Sequence, residues 1–150
     1  MQKRYKHLLV PLDGSELAEL ALVDAFALAK LIEAEMTLLR VVLPIKEVIA
    51  EHTHHAIYVD EQWKTRKKLA RDYLNDICKR YDCGTLTIHT AVKKGPAAET
   101  IIDYAREHPI DLIVMATHGR SGLKRWVYGS VADKVLRGAD SHVWLVRAHG

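Results

Sequence analysis

Cysteine is scarce in this sequence. Only two of its 150 residues are cysteines. They are Cys78 and Cys83, and their spacing matches neither a CxxC redox motif nor a zinc site. We therefore expect two reduced thiols, as is typical of a cytoplasmic protein.

Segments that would direct the chain to a membrane are also missing. The apolar run behind the basic N-terminus spans only residues 8–11, which is too short for the core of a signal peptide. No uninterrupted apolar stretch approaches the roughly 20 residues that a membrane-spanning helix needs. The sequence therefore predicts a cytoplasmic protein with no membrane span.

Charge of one sign is not in large excess. The chain carries 22 Lys and Arg against 19 Asp and Glu, for a formal net charge of +3. Such a mild balance indicates a nucleic-acid-binding protein only where the charges cluster. The basic run from Lys64 to Arg71 is interpreted as a solvated helix face, because Trp63 and Tyr73 beside it suit packing as well as stacking. We expect no nucleic-acid partner.

Several well-defined catalytic motifs are absent. The sequence has no GxxxxGK[ST] of a P-loop and no GxGxxG after its first apolar run, which argues against a P-loop ATPase and a Rossmann dinucleotide site. A nucleophile elbow needs Gly-x-Ser-x-Gly, but Ser121 is followed directly by Gly122. These absences leave no motif that specifies a reaction.

What the chain does have is a regular alternation of strand and helix patterns. Hydrophobic residues make up 49% of the sequence, and short apolar or β-branched runs are separated by segments with helical spacing. This alternation predicts an α/β fold with an open parallel sheet covered by helices on both faces. Neither a linker nor a repeat is evident, so residues 1–150 are expected to form a single domain. The predicted strands cover residues 7–11, 36–43, 85–92, 112–115 and 143–146.

Two loops follow strands at the edge where such sheets bind ligands. The first contains Asp13, which could accept a hydrogen bond from a ribose hydroxyl, lie near a metal, or serve only the local turn before Gly14. The second runs from residue 116 to residue 130 and ends at Gly129 and Ser130, just before the last helix. Ser130 is expected to cap that helix, with Asp133 completing a capping box. The same backbone could hold a phosphate at the helix N-terminus.

The second loop also contains a basic glycine-rich stretch. Gly119 and Gly122 lie among Arg120, Lys124 and Arg125, whose charges suit phosphate oxygens. The alternative is a solvated basic loop. Because this stretch shares one strand-to-helix connection with Gly129, phosphate binding becomes as good an interpretation as a plain turn.

A histidine cluster is the remaining candidate site. His52, His54 and His55 could bind a metal, but they fall in the segment from 45 to 57 that shows no clean period. No neighbouring cysteine or other ligand spacing supports a metal there. An exposed loop is the preferred interpretation, and a metal role is left as unknown.

Taken together, the motifs resemble those of the universal stress protein family over nearly the whole chain. Nucleotide-binding members carry Gly-x2-Gly-x9-Gly-(Ser/Thr) after the fourth strand, and here the frame is Ala116-x2-Gly119-x9-Gly129-Ser130. The opening His-Leu-Leu-Val-Pro-Leu-Asp-Gly-Ser and the phrase Gly-Ser-Val-Ala-Asp-Lys-Val from residue 129 are also typical of that family.

The resemblance implies an open five-stranded sheet of order 3-2-1-4-5, similar to the adenine nucleotide alpha hydrolase-like fold, with ATP and Mg²⁺ bound between the first and fourth strands. It also implies a homodimer that forms through the strand from Val143 to Val146 and an unidentified regulatory protein partner. The implied nucleotide-binding residues are Pro11, Leu12, Asp13, Val41, Met115, Ala116, His118, Gly119, Gly129, Ser130, Val131 and Ala132.

One residue departs from the family pattern. Ala116 stands where the motif has its first glycine, so its methyl group could crowd a ligand, or be harmless if the backbone keeps a negative φ. The expected function is an ATP-binding stress-response regulator or sensor, with no catalytic residues and slow or no hydrolysis. The alternatives are a non-nucleotide interaction protein of the same fold, and a weak ATP hydrolase or nucleotidyl transferase that uses Asp13 and His118.

Overall fold

A computed structural model of the chain describes residues 4–44, 55–81, 84–117 and 129–148, with side chains in the second segment from residue 60 onward. Nine elements alternate strictly between strand and helix in these residues. They are β1 (His7–Leu12), α1 (Glu16–Ile32), β2 (Glu35–Val42), α2 (His55–Arg80), β3 (Ile88–Lys94), α3 (Ala97–Glu107), β4 (Leu112–Thr117), α4 (Ser130–Gly138) and β5 (His142–Arg147).

The five strands form one parallel sheet of order β3-β2-β1-β4-β5. This confirms the α/β class and the strand order that the family resemblance implies. Because β1 lies between β2 and β4, the chain leaves the middle of the sheet in opposite directions. The crevice that forms where the order reverses is a common ligand site in open parallel sheets.

Alternate residues of the strands point to the two faces of the sheet, and each face carries its own hydrophobic core. One core joins α1 and α2 to even-numbered strand residues such as Leu8, Leu38 and Val114. The other joins α3 and α4 to odd-numbered residues such as Leu9 and Ile113. Burial on both faces explains why β1 and β4 are almost continuously apolar.

Helix α1 shows how local sequence sets an element. A serine directly before a helical pattern predicts an N-cap, and Ser15 is the N-cap of α1: its hydroxyl oxygen accepts a hydrogen bond from the Ala18 N–H at 3.1 Å. Small residues line the buried face of α1, but the largest side chains there are Leu22 and Phe26. The helical spacing of the apolar residues also predicts Leu20 on this inner face, but Leu20 is 45% exposed.

The element boundaries correct the sequence prediction in three places. Strand β3 is Ile88–Lys94, later than the predicted 85–92. Helix α2 already begins at His55, inside the segment without a clean period. Proline suits the first position of a helix, which predicts Pro96 as the first residue of α3, but Pro96 is the N-cap instead, because its ψ of 135° is extended.

Within the described residues, no helix is long and apolar enough to cross a membrane. The longest of these helices, α2, has 26 residues, but lysines and arginines recur along its sequence from Lys64 onward. The sequence prediction of no membrane span agrees with this finding.

Candidate functional site

A cavity of about 780 Å³ opens at the carboxyl ends of the strands. Residues that follow β1, the ends of β2 and β4, and the N-termini of α1, α3 and α4 all contribute to its wall, together with the middle of α2. Every described residue that was predicted to bind nucleotide lines this one cavity: Pro11, Leu12, Asp13, Val41, Met115, Ala116, Gly129, Ser130, Val131 and Ala132. The fold therefore brings residues from three separate parts of the chain to a common space.

Part of the second loop lies outside the described residues. His118 and Gly119 belong to that part, as do Arg120, Lys124 and Arg125. Their predicted contacts with phosphate stay predictions. The described residues therefore form the parts of the cavity wall that belong to β1, β2 and α4.

Asp13 is held in a fixed orientation at the end of β1. The Ser15 N–H donates to its Oδ1 at 2.9 Å, and the Ser15 hydroxyl donates to the same oxygen. Burial raises the pKa of Asp13, but these hydrogen bonds and the nearby Arg40 charge together outweigh burial and hold the pKa below its ordinary value. Only Oδ1 of Asp13 takes part in the turn. The carboxylate can therefore hold the turn and still be exposed to the cavity.

The N-terminus of α4 differs from the predicted capping box. Its N-cap is Gly129, no side chain caps it, and Ser130 is the first helical residue. The first intrahelical hydrogen bond runs from the Asp133 N–H to the Gly129 carbonyl at 2.9 Å, while the Asp133 carboxylate accepts from Arg137 Nε. The prediction that Ser130 caps α4 is wrong by one residue. The N–H groups of the first turn consequently point toward the cavity without intrahelical partners.

Gly129 and Ala116 occupy two positions of the glycine motif, and neither needs glycine for backbone reasons. Gly129 has a φ of −55°, which any residue can adopt, and a Cβ there would meet no atom of the described part of the chain within 4 Å. A side chain at residue 129 would therefore project into open cavity. Ala116 lies inside β4, its φ is not positive, and its methyl group packs against the core formed by α1 and α2.

Sequence reasoning missed a cationic and aromatic wall on the α1–α2 side of the cavity. Arg40, Arg66 and Tyr73 all line it. The Arg40 guanidinium lies 5.9 Å from the centre of the Tyr73 ring, and Arg66 Nη1 donates to the Leu43 carbonyl at 2.8 Å. The available signal was Arg40 itself, which is the one charged residue in the predicted strand 36–43 and stands one residue before the predicted Val41.

The histidine cluster does not yield a described metal site. His52 and His54 lie outside the described residues, and His55 is the first residue of α2 with no described side chain. In the parts of the chain that the structure describes, no group of three His, Cys, Asp or Glu side chains could hold a metal ion. The expectation of an exposed loop is wrong for His55, which is helical.

Comparison with known proteins identifies several full-length relatives. A sequence model described as "Universal stress protein family" matches residues 4–147. Universal stress protein MJ0531 of Methanocaldococcus jannaschii is 32% identical over 145 residues, which cover 95% of this chain and 82% of that protein. The solved structure of universal stress protein UspA from Lactobacillus plantarum is 28% identical with a TM-score of 0.79, covering 97% of this chain and all of that one.

Two further solved structures contain adenine nucleotides. One is a universal stress protein in complex with cAMP, 23% identical with a TM-score of 0.65, covering 95% of this chain and 97% of that chain. The other is the Arabidopsis thaliana family protein At3g01520 with AMP bound, 14% identical with a TM-score of 0.60, covering 97% of this chain and 93% of that chain. At these identities, the likeness to this chain is one of fold.

Proposed function

The chain belongs to the universal stress protein family, and we propose that it is an ATP-binding stress-response regulator that acts as a cytoplasmic homodimer. The observation that carries the proposal is the open space in front of Gly129. A glycine that the backbone does not require, with no atom of the described residues near its absent Cβ, is explained by a ligand that comes close to the main chain.

The proposed placement of the nucleotide follows the walls of the cavity. Pro11, Val41 and Met115 offer an apolar surface for adenosine, and the Asp13 carboxylate accepts a hydrogen bond from the ribose. The phosphates then lie at the N-terminus of α4, where N–H groups without intrahelical partners and the helix dipole favour negative charge. Relatives of the same fold that contain AMP and cAMP support an adenine nucleotide as the ligand class.

Slow or absent hydrolysis is part of the same proposal. A general base must be able to take a proton from water near neutral pH, and the lowered pKa of Asp13 makes its carboxylate a weak base. Among the described residues no cluster of metal ligands accompanies it. We propose that Mg²⁺ enters with the phosphate oxygens of ATP and not through a protein cage. Regulation would then come from a change in dimer or partner contacts when ATP binds.

Native mass spectrometry of freshly purified protein tests the proposal directly. We expect co-purified ATP, ADP or AMP, or saturable binding when ATP and Mg²⁺ are added to nucleotide-free protein. Asp13→Asn serves as the matched variant. Asparagine keeps the size of the side chain but removes the negative charge of the carboxylate that accepts a hydrogen bond from the ribose. Absence of bound nucleotide together with no heat on titration would contradict ATP binding.

A further inference from the structure

Arg40 is a cation at the cavity. It lines the cavity at the end of β2, its charge helps to lower the pKa of Asp13, and its guanidinium lies 5.9 Å from the centre of the Tyr73 ring. Within the described residues it forms neither a hydrogen bond nor an ion pair. A guanidinium carries five N–H donors in a planar fork, so this group is available to an anionic ligand.

Within the described residues, the groups around Arg40 leave its guanidinium without a hydrogen bond. The Tyr73 hydroxyl donates to Glu19 at 2.9 Å, and Glu19 also pairs with Arg80 at 3.3 Å. Tyr73 and Arg80 therefore already engage that carboxylate. Burial and the Glu19 hydrogen bond raise the pKa of Tyr73, so Tyr73 keeps its proton and presents its ring face to Arg40.

The guanidinium lies beside Asp13 and not beside α4. Arg40 Nη2 is 3.5 Å from the position that a Cβ of Gly14 would occupy, and Gly14 directly follows Asp13. The Arg40 side chain is on the sheet face covered by α1 and α2, whereas α4 packs on the opposite face, beyond β1 and β4. The cavity thus has two separate regions that favour anions, one at each end.

We propose that Arg40 determines specificity in this cavity and that it selects an adenine nucleotide with a phosphate on the ribose 2′- or 3′-oxygen. This inference rests on the proposed nucleotide site, in which Asp13 faces the ribose. An aspartate alone favours two free hydroxyls and repels a phosphate. An arginine next to it can take the phosphate, while Asp13 accepts from the remaining hydroxyl; arginine plays a comparable role toward the 2′-phosphate in dinucleotide folds.

Isothermal titration with three small nucleotides tests the inference. The probes are AMP, adenosine 3′,5′-bisphosphate and adenosine 2′,5′-bisphosphate, which differ only in the second phosphate. We expect wild-type protein to bind one bisphosphate about tenfold or more tightly than AMP, as a charge-assisted bidentate contact would give. In Arg40→Gln this preference is lost, because bisphosphate affinity falls much more than AMP affinity.

Two control variants separate the specific contact from general charge. Arg66→Gln removes the second arginine of the wall, but Arg66 is already hydrogen-bonded to Leu43, so the preference should persist. Arg40→Lys keeps the charge without the fork and should retain part of the preference, and its melting temperature shows whether substitution at residue 40 disturbs folding.

The outcomes distinguish this inference from the proposed function. Equal affinity of wild-type protein for AMP and both bisphosphates would overturn the role of Arg40 and leave adenine nucleotide binding intact. An equal loss of AMP and bisphosphate binding in Arg40→Gln would also overturn it, because Arg40 would then contact a part that all three probes share. No binding of any probe or of ATP would contradict both proposals.

Discussion

Gly129 has a conformation that any residue could adopt, yet it borders the cavity, and none of the residues that the structure describes lies within 4 Å of the position of a Cβ there. We predict that Gly129→Val leaves the melting temperature almost unchanged and lowers ATP affinity by more than about tenfold, since the new side chain occupies the space next to the α4 N–H groups. Thermal unfolding and calorimetric titration measure the two effects. If Gly129→Val binds ATP as tightly as the wild type does, the phosphates lie elsewhere.

Ala116→Gly is the matched control for Gly129, because it restores the family's motif at the other position. The Ala116 methyl packs against the α1–α2 core, and the strand conformation does not require glycine. We therefore expect ATP affinity to stay within a small factor of wild type, with a stability loss of about 0.5–1 kcal/mol from glycine in a strand. A large gain in affinity would show that the methyl group crowds the nucleotide.

His7 connects protonation to stability at the other end of the sheet. Burial lowers its pKa, with the Glu35 carboxylate opposing this effect, and its Nε2 lies 2.7 Å from Thr37 Oγ1 in a hydrogen bond. The unfolded chain then binds a proton at His7 more readily than the folded chain. The contribution of His7 to the free energy of unfolding is fully present above the ordinary histidine pKa of 6.5. It is lost as the pH falls from there through the pKa of His7 in the folded protein.

We expect the loss of stability at low pH to be smaller in His7→Gln, because glutamine can keep a hydrogen bond to Thr37 but cannot be protonated. Denaturant unfolding between pH 7.5 and pH 5, roughly one unit either side of a histidine pKa, measures the difference. Identical profiles for His7→Gln and wild type would exclude His7 as the source.

At the scale of elements, α1 and α4 begin in different ways although a serine stands at the start of each. Ser15 caps α1 with its hydroxyl, whereas Ser130 lies inside α4 and caps nothing. We predict that Ser15→Ala lowers the free energy of unfolding by about 1 kcal/mol, while Ser130→Ala hardly changes it but weakens ATP binding. Urea denaturation and titration with ATP of both variants provide the comparison. A larger loss of stability in Ser130→Ala than in Ser15→Ala would show that Ser130 caps α4 after all.

The sequence was most informative where one physical effect dominates an element. Strands β1 and β4 are buried on both faces, so their apolar runs stand out, and Ser15 has the chemistry of a cap. The start of α2 was missed because its first residues have no helical period. Arg40 was missed because a strand pattern gives alternation but does not tell which helices cover each face, and that determined its position in the cavity wall.

At the scale of the whole molecule, the sheet ends in two edge strands with opposite character. Strand β3 carries His89, Lys93 and Lys94, and charged side chains of this kind discourage pairing with another chain. Strand β5 instead presents a Val-Trp-Leu-Val run, in which Trp144 is 37% exposed. If two copies associate through a sheet edge, as we propose, β5 is the edge that can accept a partner.

We predict that Trp144→Glu converts the dimer to a monomer, because pairing across β5 would bury the new carboxylate without a partner. Light scattering coupled to size exclusion at micromolar concentration gives the mass directly. Leu31→Glu is the matched control, since Leu31 is 81% exposed on α1 and gains the same charge away from β5. A monomeric wild-type protein, or a Trp144→Glu variant that stays dimeric, would contradict association through β5. If ATP acts through the dimer, the wild-type dimer should also dissociate at a different concentration with and without ATP.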